Sequence, residues 1–308
     1  MSLRIRTNIG SLIAQRHFRN SSASASKAME KLSSGKRINK AADDAAGLAI
    51  AEKLRSNIRS LEQARRNTND AIGMIQVAEG ALDEVGNIMI RLRELAVQSA
   101  SDTIGAKERG YLNREFYALK NEVERIALST EYNGTRLIAG DQDRTPEVLF
   151  MDSNRPPLEI QVDKDWHPDV DGPDVESPLN AIRIPFEKMN VRLEGEGSLN
   201  LGKPENEDGL RIDSKQRAQQ SINQIDSAQT KVASFRATLG AVQNRLVSAD
   251  NNLSIRIENL GVSKSRILDA DFAKETADYS QWSILRQAGA SVLTQARQSP
   301  EVALQLLQ

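Results

Sequence analysis

Between Gly47 and Ser99 the apolar residues recur at alternate spacings of three and four: Ala51, Leu54, Ile58 and Leu61, then Ile72, Ile75, Leu82, Val85, Met89, Leu92 and Ala96, with one slip near Ala78. This period predicts a long helix with a coiled-coil seam. Arg65 and Thr68 fall on the same stripe, where polar residues set register or partner choice at some cost in stability. A shorter helix is predicted from Leu112, Phe116, Leu119, Val123 and Ile126. A third runs through Ile222, Ile225, Ala228, Val232, Phe235, Leu239, Val242, Leu246, Ala249, Leu253, Ile257 and Leu260. At 1.5 Å per residue it is on the order of 60 Å long, which predicts a rod.

Both ends of the chain are amphipathic. Ile5, Ile9, Leu12 and Ile13 share one helical stripe near the start. Leu285, Ala288, Val292, Leu293 and Ala296 mark another near the end. These two stripes suit pairing with each other, and single helices of such length are marginal in water, so the ends need partners. Ser21 to Ser26 alternate serine and alanine, and Ala288, Gly289, Ala290 and Ser291 are also small, which favours close approach of helix backbones.

The middle of the chain reads differently. Glu131-Tyr132-Asn133-Gly134 carries an Asn-Gly turn signal. Leu158, Ile160 and Val162, then Ile182, Ile184 and Phe186, then Val191 and Leu193, alternate with the period of half-buried strands. Eight of the nine prolines lie between Pro146 and Pro204, which excludes a long helix there. Ser33-Ser34-Gly35 breaks the first periodic run, and Asn259-Leu260-Gly261 has the form of a glycine cap closing the last long helix. The expected fold is mainly α: an elongated antiparallel coiled-coil rod of long helices with paired terminal helices and a small central β-rich insertion. Its parts are two terminal segments, 1–42 and 262–308, two rod segments, 43–140 and 209–261, and a β-rich centre, 141–208.

Composition agrees with a helical, aliphatic core: 39% hydrophobic and 27% charged residues, with 4% aromatics. The net charge is -1, with both signs interspersed, so the whole chain shows no electrostatic footprint for nucleic acid or an anionic membrane. The absence of cysteine excludes disulfides and thiolate chemistry. No apolar run approaches the ~18 residues of a membrane span, and the first twenty residues lack the apolar core of an ordinary signal peptide. His17 and His167 are far apart, and no His-Glu-x-x-His motif accompanies them. The acidic loop around Asp163, Asp165, Asp169, Asp171 and Asp174 lacks the ligand spacing of an EF-hand. No enzyme, cofactor or metal is expected.

Several motifs resemble those of bacterial flagellins. They are Lys31-Leu32-Ser33-Ser34-Gly35-Lys36-Arg37-Ile38-Asn39, Ala41-Ala42-Asp43-Asp44-Ala45-Ala46-Gly47-Leu48-Ala49-Ile50, Arg91-Leu92-Arg93-Glu94-Leu95-Ala96-Val97-Gln98, Phe235 to Leu246, and Ser265 to Ala273. The resemblance covers roughly residues 1–140 and 210–308. It implies a secreted structural subunit that polymerises with itself into the flagellar filament and supports swimming, exported through the flagellar channel without a cleaved signal. Ile5, Ile9, Leu12, Ile13, Leu285, Ala288, Val292, Leu293 and Ala296 are then the filament-core packing residues. The same resemblance implies an export chaperone on the C-terminal helix, filament-cap and hook-junction proteins as neighbours, and recognition of Arg91, Leu95, Gln98 and Glu115 by an animal Toll-like flagellin receptor. Those four residues equally suit a subunit contact. The alternative readings are a hook-filament junction protein, which shares the terminal architecture, and a secreted coiled-coil effector.

Overall fold

The computed structural model describes residues 8–140, 158–166, 179–195, 197–202 and 209–305, the side chains of the last helix as far as residue 298. The chain divides into two compact units, one of residues 1–58 and 258–308, the other of residues 59–257. Both boundaries fall inside helices.

Helix α1 (Ile9–Ser34) opens on Asn8, whose side chain accepts from Ser11 N at 3.0 Å, and closes on Gly35 in the left-handed conformation, φ 66°. A side-chain acceptor satisfies an N–H that has no partner within the helix, and glycine takes the left-handed cap without Cβ strain. Helix α2 (Ala45–Ala100) begins after Asp44, which accepts from Gly47 N at 2.8 Å in the same way. Helix α3 spans Ala106–Ser129, α4 Lys215–Leu268 and α5 Phe272–Gln305.

In the second unit the seam positions of α2, all buried, are Leu61, Ala64, Thr68, Ala71, Ile75, Ala78, Leu82, Val85, Met89, Leu92, Ala96 and Ser99, and Leu95 is buried beside them toward the same core. The seam positions alternate strictly by three and four from Ala64 onward. The slip expected near Ala78 lies instead at Ile58-Leu61-Ala64, two successive steps of three. Arg65 is off the seam, and Thr68 is on it, but its Oγ1 donates to Ala64 O at 2.9 Å on its own helix and sets no register with a partner. On α4 the seam is Ala218, Ser221, Ile225, Ala228, Val232, Leu239, Val242, Leu246 and Leu253. Three ion pairs fix the direction of the two helices as antiparallel: Arg65 with Asp250 at 3.6 Å, Arg236 with Asp83 at 2.9 Å and Arg93 with Asp226 at 2.6 Å. Exposed pairs of this kind contribute little stability.

Asn259-Leu260-Gly261 does not end α4, which continues to Leu268. One interior glycine costs only about 1 kcal/mol against alanine, too little to stop an otherwise favourable helix. The real end lies where Asp269 bridges to Lys36 and Arg37 N donates to Leu268 O at 2.6 Å.

The β elements are small. β1 (Glu131–Tyr132) and β2 (Thr135–Arg136) form a hairpin whose two turn residues, Asn133 and Gly134, have φ 50° and 74°. Positive φ at both positions is the demand of a type I′ turn, which Asn-Gly meets. β3 (Leu158–Gln161) pairs antiparallel with β4 (Ala181–Ile184), Leu158 opposite Ile184 and Ile160 opposite Ile182. β4 stops before Pro185, which has no N–H to donate, so Phe186 starts a 3-10 turn (Phe186–Lys188) instead of extending the strand. Val191 and Leu193 are buried but lie in irregular chain: Val191 N donates to Ile138 O at 2.9 Å and Leu193 N to Glu124 Oε2 at 2.8 Å. Their apolar side chains join those of Ile184, Met189, Leu201 and Ile212 in one core with α2, α3 and α4.

Candidate assembly surface

Within the first unit, α1 and α5 run antiparallel. Asn8 Nδ2 donates to Ala296 O at 2.6 Å, Lys31 pairs with Glu275 at 2.7 Å, and Ala270 N donates to Gly35 O at 2.9 Å. The facing positions on α1 are Ser11, Ala14, Phe18, Ser21, Ala25, Ala28 and Leu32; those on α5 include Glu275, Tyr279, Trp282, Gly289, Leu293 and Ala296. Small side chains let the backbones draw together. A methyl group placed on Gly289 would already be in ordinary contact, 3.8 Å from Phe18 Cα.

This seam is not the one that the aliphatic pattern indicates. Ile9, Leu12 and Ile13 are 52%, 57% and 44% exposed, and Leu285 and Val292 are 43% and 57% exposed. Ala288 is exposed too, while Leu293 and Ala296 are half-buried on the seam. Ile5 lies outside the described residues. The bulky stripes therefore do not pair with each other. They are turned outward, because alanine, serine and glycine close a tighter interface than leucine and isoleucine do. The signal for the true seam on α1 is a three-four recurrence from Ser11 to Ala28 in which every residue but Phe18 is alanine or serine, which aliphatic counting passes over. Ile284, 67% exposed, joins the outward set.

The outward face is also cationic. No acidic residue stands between Asn8 and Met29 or between Tyr279 and Gln298. Arg16, Arg19, Arg286 and Arg297 are exposed, and none makes an ion pair among the described residues.

The second predicted set sits on α2 and α3. Arg91 Nη2 lies 2.7 Å from Glu115 Oε1 and its Nη1 2.9 Å from Glu94 Oε2, all on the surface, and Gln98 is exposed. Leu95 is a correction: it is fully buried in the core that α2 shares with α3 and α4, and is not part of this surface. Arg256 grips Asp163 with two bonds, 2.6 and 3.1 Å, so this carboxylate of the acidic loop is engaged within the fold. Burial alone raises the Asp163 pKa; the Arg256 bonds and the Lys164 N–H outweigh it and leave the group below the ordinary carboxylate range. His17 is exposed, and His167, Asp169, Asp171 and Asp174 lie outside the described residues. Trp166 is 58% exposed and not a packing residue, whereas Trp282 faces the seam of the terminal pair.

An uncovered aliphatic face on a closely paired set of terminal helices defines a subunit of an assembly. Sequence comparison gives the same class: the family described as bacterial flagellin N-terminal helical region matches residues 5–143, and bacterial flagellin C-terminal helical region matches residues 222–307. A flagellin of Halalkalibacterium halodurans is 41% identical, covering 91% of this chain and 91% of its own length. The flagellar filament 33 kDa core protein of Treponema phagedenis is 37% identical over 98% of this chain and 99% of its own. Flagellin D of Vibrio cholerae is 35% identical over the full length of both. A crystal structure of Bacillus cereus flagellin aligns at 26% identity and TM-score 0.46, covering 61% of this chain and 88% of its own.

The chain belongs to the bacterial flagellin family. It is a structural subunit of the extracellular flagellar filament, polymerising with itself in support of motility.

Proposed function

We propose that the outward face of the α1–α5 pair is the surface through which copies of this chain pack in the filament. The observation that carries this reading is the exposure of Ile9, Leu12, Ile13, Ile284, Leu285 and Val292 on a pair already closed by small residues. Each such side chain gains roughly 1.5–3 kcal/mol when fully buried, so neighbours supply what the pair lacks. A contact between unlike patches that does not close on itself gives an open helical polymer. In this reading residues 1–42 and 262–308 form the core of the filament, and 43–140 and 209–261 its wall.

The family resemblance adds partners. Before assembly, the exposed apolar residues of α5 suit an export chaperone, and after it the chain ends adjoin cap and hook-junction proteins. Arg91, Gln98 and Glu115 are open on the isolated chain, which suits either a subunit contact or a Toll-like flagellin receptor. Export without a cleaved signal belongs to the same reading.

The test is polymerisation. The intact chain and a form lacking residues 1–42 and 262–308 are given short filament seeds and followed by negative-stain electron microscopy. Long filaments from the intact chain alone are the expected result; an intact chain that stays monomeric with seeds overturns the assembly surface in favour of the junction or effector reading.

A further inference from the structure

On the buried face of α3, Phe116, Val123 and Ala127 are joined by a lysine, Lys120, which is fully buried. Its Nζ donates to Leu210 O at 3.3 Å, a long bond for an ammonium with three protons to place. The Tyr117 ring centroid, on the same helix, is 5.8 Å away. Among the described residues, the charged groups acting on it from the segments packed against α3 are Glu194 and Arg211. One turn further along α3, Glu124 is taken up by Arg192 Nε at 3.0 Å and Leu193 N at 2.8 Å.

Leu210 belongs to a strap leading into α4, and its next two residues are held in the same manner. Ser221 Oγ donates to Arg211 O at 3.1 Å, Asn113 Oδ1 accepts from Ile212 N at 3.0 Å, and Ser99 Oγ donates to Ile212 O. Three consecutive residues are thus fastened by side chains of α2, α3 and α4. Of the four fasteners only Lys120 carries a charge, and among the described residues its ammonium has one hydrogen-bond acceptor, a neutral carbonyl, which makes its burial costly.

We propose that the strap 210–212 is a pH-sensitive latch on the second unit, fastened by Lys120 and opening more readily near neutral pH than in alkaline solution. Burial depresses the ammonium first and most; Glu194 works against this and Arg211 with it, leaving a pKa of about 8 against an ordinary 10.5. Opening returns the amine to water and to its ordinary value, so opening takes up a proton. The cost of the closed state is therefore full below pH 8 and fades as the pH climbs through 8 toward 10.5. Between pH 7 and pH 9 the closed-to-open ratio should rise by roughly tenfold.

Arg211 makes opening visible, since trypsin can cleave after it only when the strap has lifted. On the full-length monomer, cleavage after Arg211 is measured at pH 7 and pH 9 and divided by the rate on an unstructured peptide of the same sequence. The native chain should show a fall of roughly tenfold in this ratio, and Lys120→Met a slow rate with no such fall. An equal pH dependence in both overturns the latch. Should Lys120→Met fail to fold, lysine 13Cε resonances of the native chain decide: Lys120 titrating well below the other lysines supports the latch, and Lys120 titrating with them sinks it.

Discussion

Lys31 Nζ donates to Glu275 Oε1 at 2.7 Å across the terminal helix pair, and Glu275 is buried where the two meet. A buried carboxylate needs its cation more than an exposed one does, because water cannot replace it. Lys31→Ala should loosen the α1–α5 pair by about 1–3 kcal/mol, seen as earlier loss of helix on heating. Glu275→Gln should cost less, since it removes the charge together with the need for a partner. Equal stability of Lys31→Ala and the native chain would show that the pair is held without this contact.

Outward and inward faces of α1 should separate assembly from folding. Leu12 is 57% exposed, so Leu12→Asp should leave the monomer's circular dichroism unchanged and stop elongation from seeds. Ala25 is 1% exposed on the seam, so Ala25→Leu should overpack the pair, at a cost of about 1–3 kcal/mol, and lower monomer helicity itself. Normal elongation by Leu12→Asp would place the assembly contacts elsewhere.

Thr68 offers a quieter test. Its hydroxyl is satisfied by Ala64 O on the same helix, with no partner across the seam. Thr68→Val should therefore be neutral or stabilising by up to about 1 kcal/mol in thermal unfolding. A clear loss of stability would mean that the hydroxyl matters to the facing helix.

The β3–β4 strand pair is tied to α4 through Asp163 and Arg256. A carboxylate held below its ordinary range stabilises the fold above that range and loses the contribution as the pH falls through its lowered folded value. Acid should release this strand pair before the helices melt, read as a change in Trp166 fluorescence at constant helicity. Asp163→Asn should remove the acid step, and an unchanged step would assign it to other carboxylates.

What could be read from the sequence followed side-chain size. The seam from Ile75 to Leu92 was legible because its residues are almost all bulky, and the Asn133-Gly134 turn because few residue pairs accept positive φ twice. The slip in α2 was misplaced because Ala64 and Ala71 are seam residues that an apolar count ranks below Ile72. Small size also hid the terminal seam, where Ala14, Ala25 and Ala28 do the pairing and the isoleucines do not. Gly261 looked like a stop because glycine often caps helices, yet here the chain continues as helix through it. Lys120 lies at helical spacing from Phe116, Val123 and Ala127, but a count of apolar residues passes over a lysine, and only the strap beside it accounts for one there.

From Ala64 to Ser99 the seam of α2 repeats every three and a half residues without interruption. An unbroken repeat of this length winds helices around each other in a left-handed sense. The spacing of alanines and leucines along a single helix thus sets the hand in which α2 and α4 wind around each other.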